Sequence, residues 1–101
     1  MSATVDQKYE LARKIGGQVF NKSKLSKEEI LEMWVMNRMI HGAGSSIIPP
    51  TAEQKKALQD WAHLSQNDVK ESFIHLVVDK LELVKDDKDL PKAKEWLAEL
   101  K

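Results

Sequence analysis

At Ser26-Lys-Glu-Glu29, Thr51-Ala-Glu-Gln54 and Ser65-Gln-Asn-Asp68 a Ser or Thr stands three residues ahead of a Glu, Gln or Asp, with an apolar-periodic run following. In such a pattern the hydroxyl accepts a bond from an orphan backbone N–H of the first helical turn. The carboxylate or amide reaches back to the capping residue's own N–H. Each occurrence therefore marks a helix start. Three of them in 101 residues predict an all-α chain of several helices joined by tight turns.

Apolar periodicity fills in the rest. Val5, Tyr9, Ala12, Ile15 and Val19 recur at steps of three and four and predict a helix over about 4–20. Gly16-Gly17 interrupts that stripe, which suggests a close helix crossing, or else a kink or early stop. A second helix is expected over 27–41, ended by Gly42. Its apolar set of Ile30, Leu31, Met33, Trp34, Val35, Met36, Met39 and Ile40 covers most of its circumference.

The segment Gly42-Ala-Gly-Ser-Ser-Ile47-Ile48-Pro-Pro reads as an irregular loop. A third helix follows over 52–63, with Ala57, Leu58, Trp61 and Ala62 inward, and a fourth over 66–84. The β-branched residues of 73–84 also admit a short strand pair. The last helix is placed over 91–100 with Pro91 in its first turn. The expected fold is a compact orthogonal bundle of four to five helices, one domain over 1–101.

Several function classes are disfavoured at once. Sixteen Lys/Arg balance sixteen Asp/Glu, so no strong field favours a polyanion or an anionic membrane. The absence of cysteine removes disulfides, thiolate catalysis and cysteine-ligated zinc. No apolar run approaches the roughly 20 residues of a membrane span, and nothing resembles a signal peptide, so a cytoplasmic location is expected.

His41, His63 and His75 have no metal-ligand spacing. Gly42-Ala-Gly44-Ser-Ser follows a helix and lacks the lysine of a phosphate-binding loop. Asp86, Asp87 and Asp89 resemble a calcium loop in charge alone. No acid–base or nucleophilic constellation emerges, so no enzyme activity, cofactor or metal is expected.

What remains is apolar surplus: three Trp, a Met33-Met36-Met39 row and the loop isoleucines exceed what so short a chain readily encloses. The lead expectation is a small regulatory or adaptor protein that binds a protein partner, or a second copy of itself, through an apolar helical face. Trp34, Met36, Arg38, Ile47 and Ile48 are the expected contact residues. The alternative is a helix-turn-helix DNA reader built from 52–84, with Lys55, Lys56, Gln66, Asn67 and Lys70 on the nucleic acid. Asp68, Glu71, Asp79 and Glu82 count against it, because they would repel phosphates.

Overall fold

The computed structural model describes residues 4–42 and 49–101. Five helices run in order: α1 (Val5–Lys22), α2 (Lys27–His41), α3 (Ala52–Trp61), α4 (Gln66–Val84) and α5 (Ala93–Leu100). Among the described residues there is no strand, and 73–84 is plain helix. The contacts group the chain into two units, Met1–Lys24 with Lys70–Lys101, and Leu25–Val69.

All three expected capping boxes form. The hydroxyls of Ser26, Thr51 and Ser65 accept from the N–H groups of Glu29, Gln54 and Asp68 at 3.1, 3.2 and 3.1 Å. The returning bonds to the cap N–H groups are 2.8, 2.8 and 3.2 Å. A fourth box, which the sequence reading overlooks, starts α1: Thr4 and Gln7 exchange the same two bonds at 3.0 and 3.2 Å. Its spacing is that of the other three.

In the first unit, the buried face of α1 consists of Tyr9, Ala12, Ile15, Gly16 and Val19. Phe73, Ile74, Leu76, Val77 and Leu81 of α4 and Ala93, Leu97 and Leu100 of α5 complete the apolar core, with Leu90 just ahead of α5. The Tyr9 and Phe73 rings meet edge to face, 5.5 Å between centroids. Helix α1 does not stop at its glycines but runs on to Lys22. Gly16 lies beneath Phe20 and Phe73, where a Cβ would sit 3.4 and 3.8 Å from the nearest ring atoms, which is ordinary contact.

Gly17 faces open space, with nothing within 4 Å of an added Cβ. The expected result of Gly17→Ala is therefore a gain of about 1 kcal/mol, from helix propensity alone. Urea unfolding followed by circular dichroism checks it; a loss of stability would mean that the position is not plain helix.

Two expected boundaries move. Helix α3 ends at Trp61, and Ala62, expected inward, is exposed. Pro91 lies in a turn before α5 instead of in its first turn, because Leu90 O accepts from Ala93 N at 3.1 Å and sets the helix start at Ala93. Leu83, expected to widen the apolar face of α4, is 73% exposed.

In the second unit, α2 and α3 pack on one another. Val35 and Met36 of α2 and Val69 at the start of α4 are buried. Gly42 closes α2 with φ of +81°, a backbone that side chains with a Cβ rarely adopt, and its N–H donates to Arg38 O at 2.8 Å.

Candidate functional site

Helix α2 sorts its residues by arc. At about 3.6 residues per turn, Lys27, Ile30, Trp34, Asn37, Arg38 and His41 fall within about 100° of one another. Within that arc Lys27, Asn37 and His41 are exposed, Ile30 is 56% exposed, and Trp34 and Arg38 are half-buried; outside it Glu28 and Glu32 are exposed as well. The Arg38 guanidinium lies over the Trp34 ring, 5.2 Å from its centroid. One helical turn separates the two residues, the spacing at which side chains on one face meet. A cation over the indole at that distance is attracted by the negative face of the ring.

Met36 is a correction. It was expected among the partner contacts, yet it is 1% exposed and belongs to the core with Val35. The Met33-Met36-Met39 row advances at steps of three, which lag a helical turn, so the row winds from the half-buried Met33 to the buried Met36. Ile47 and Ile48 lie outside the described residues. Of the expected contacts, then, the structure brings Trp34 and Arg38 together and removes Met36.

Ile30, which was not among the expected contacts, is the large apolar side chain exposed on this arc. The acids of the helix, Glu28, Glu29 and Glu32, all project onto the arc opposite Trp34, so the charges that share the arc of Ile30 are cationic, but that spacing does not say that Ile30 is exposed.

The residues of the DNA-reading alternative are placed as follows. Lys55 and Lys56 are exposed on α3, and Gln66 and Asn67 are exposed in the first turn of α4. Lys70 is already engaged: its ammonium is 2.9 Å from Asp6 and 5.5 Å from the centre of the Tyr9 ring. The hydrogen bond to Asp6 raises the Lys70 pKa against the opposing effect of desolvation. A phosphate would have to displace that carboxylate.

The acidic turn after α4 is likewise occupied by lysines. Lys22 pairs with Asp89 and stands 4.0 Å from Asp87, and Lys94 stands 3.4 Å from Asp86. The hydrogen bond from Lys22 holds the Asp89 carboxyl below its usual range. Lys101 does the same for Glu82. Among the described residues no group of His, Asp and Glu side chains is placed to hold a metal ion, and no polar or charged residue is buried.

A groove of about 450 Å3 in the first unit is lined by Val5, Ile74, Val78 and Leu100, with Lys8, Glu71 and His75 among the polar residues around it. Charges of both signs line it, so it selects for neither anion nor cation. No described helix is long and apolar enough to cross a membrane.

Tyr9, the one tyrosine of the chain, is 4% exposed, and burial raises its phenol pKa. Arg13 and Lys70 pull the other way, while Glu10 adds to the rise. Because the folded state favours the neutral phenol, this contribution to stability is complete below the ordinary phenol range and is lost as pH rises through the native value. Tyrosinate absorbance in native protein is expected at higher pH than in protein unfolded by urea. Coincident titration curves would show that the ring is hydrated.

Comparison with protein-family models, with curated proteins and with solved structures gave no match.

Proposed function

We propose that this is a non-enzymatic interaction protein that engages a protein partner through the outward arc of α2, with Ile30, Trp34 and Arg38 at the energetic centre. The observation that carries the reading is the exposed Ile30 one turn from a half-buried Trp34 over which the Arg38 guanidinium lies. Trp and Arg are the side chains that most often dominate binding energy, because each covers a large area while losing little conformational freedom when already held. Here Arg38 is held in advance by the indole beneath it. An apolar side chain docking over Ile30 would also remove surface that water now wets.

The test is affinity capture from a native lysate with four proteins side by side: wild type, Ile30→Asp, Trp34→Ala and Leu83→Asp. Leu83 is the other large apolar side chain that is exposed among the described residues, so its variant controls for general stickiness. A partner retained by wild type and Leu83→Asp, and bound at least about 30-fold more weakly by the two α2 variants, is the expected outcome. Each variant's fold is checked by circular dichroism. Partners held equally by wild type and both α2 variants would overturn the reading.

A further inference from the structure

The charges around Ile30 and Trp34 say what kind of partner would fit. On the outward arc of α2 the ionisable groups are Lys27, Arg38 and His41, and the three acids of the helix lie on the opposite arc. In the first unit, Lys22, Lys70, Lys85, Lys94 and Lys101 are each matched to a carboxylate, whereas Lys8, Arg13, Lys14, Lys88 and Lys92 pair with no described carboxylate. No described carboxylate pairs with Lys27 or Arg38. The arc is thus an apolar ridge with an unneutralised cation toward each end, about 16 Å apart along the axis.

We infer that the occupant is an acidic amphipathic helix of about three turns. Its apolar row would seat on Ile30 and Trp34, and a carboxylate near each end would meet Lys27 and Arg38. This rests on the reading of α2 as a binding face and adds the chemistry of what binds there. A helix is the matching shape because α2 offers a ridge with its backbone already hydrogen-bonded, and so no sheet edge to which an extended segment could add. A carboxylate is the matching group because a guanidinium is a planar fork of N–H donors that can make two parallel bonds to it. Acidic flanks also discriminate: a basic amphipathic helix would set like charges against both ends of the ridge.

The experiment selects binders to the full chain from a displayed library of 18-residue helical peptides, each with a fixed apolar row of Leu and flanks randomised among Glu, Lys, Gln and Ala. The expected pool is enriched in Glu, binds about tenfold more weakly when its flanking Glu are changed to Lys, and weakens as salt is raised. Arg38→Glu and Lys27→Glu should each reverse the preference toward Lys flanks.

A pool that still requires Ile30 but carries neutral or basic flanks would sink the inference and leave the binding face standing. A pool indifferent to both Ile30→Asp and Trp34→Ala would sink the face itself. A fluorescent single-stranded oligonucleotide bound in low salt and released by Trp34→Ala would overturn the inference in favour of a nucleic-acid ligand.

Discussion

Phe73→Ala will destabilise the protein by about 4 kcal/mol, the largest effect expected of any single truncation described here. The Phe73 ring is 6% exposed, meets Tyr9 edge to face and covers Gly16. Removing it deletes the transfer free energy of a phenyl group and leaves a cavity beside a glycine, which has no side chain to fill the space. A loss of that size lowers Tm by more than about 15 °C in a chain of this length. Urea unfolding and calorimetry measure it. A cost under about 1.5 kcal/mol would mean that the ring is not packed as described. The pair of Tyr9→Leu and Phe73→Leu, alone and together, isolates the ring–ring coupling, expected near 1 kcal/mol.

Leu81→Ala should cost about 3 kcal/mol, whereas Leu83→Ala, two residues along the same helix, should stay within about 0.5 kcal/mol of wild type. Leu81 is fully buried and Leu83 is 73% exposed. Identical chemistry in near-identical helical context makes the difference between the two a direct reading of burial. Equal losses at both positions would show that Leu83 is covered in solution, by self-association or by a face of the protein it does not touch here. Sedimentation of the Leu83→Asp variant would then separate those cases.

The two positions also show where sequence reasoning reached and where it stopped. Both leucines fit the widened apolar stripe of α4, and periodicity alone assigned both inward. Helix geometry places Leu83 near the edge of that stripe, and nothing in the string of residues says how far the opposing surface extends to cover it. The same limit explains Met36. A helix apolar on nearly all sides, such as α2, carries too little contrast for its buried arc to be read, and the Met row winds from the half-buried Met33 to the buried Met36.

Where contrast exists, the sequence was sufficient. Ser26, Thr51 and Ser65 cap their helices as expected, and Thr4 does so by the same rule. Caps are local: both partners lie within four residues, so no distant chain segment is needed to form them. The choice of helix over strand for 73–84 was local in origin too, because the Ser65 cap starts a helix and no Gly or Pro breaks the run from 66 to 84.

The proposed interaction face divides along the same line. That the acids of α2 share one arc is written in their spacing, as is the one-turn separation of Ile30 from Trp34 and of Trp34 from Arg38. Which arc meets solvent was decided elsewhere, since exposure belongs to a residue's surroundings and not to the residue. Local chemistry thus set where helices begin and which side chains travel together. Long-range packing alone settled that Val35 and Met36 turn to the core while Ile30 stays in water, because burial depends on segments far apart in the chain, whose meeting no short stretch of sequence encodes.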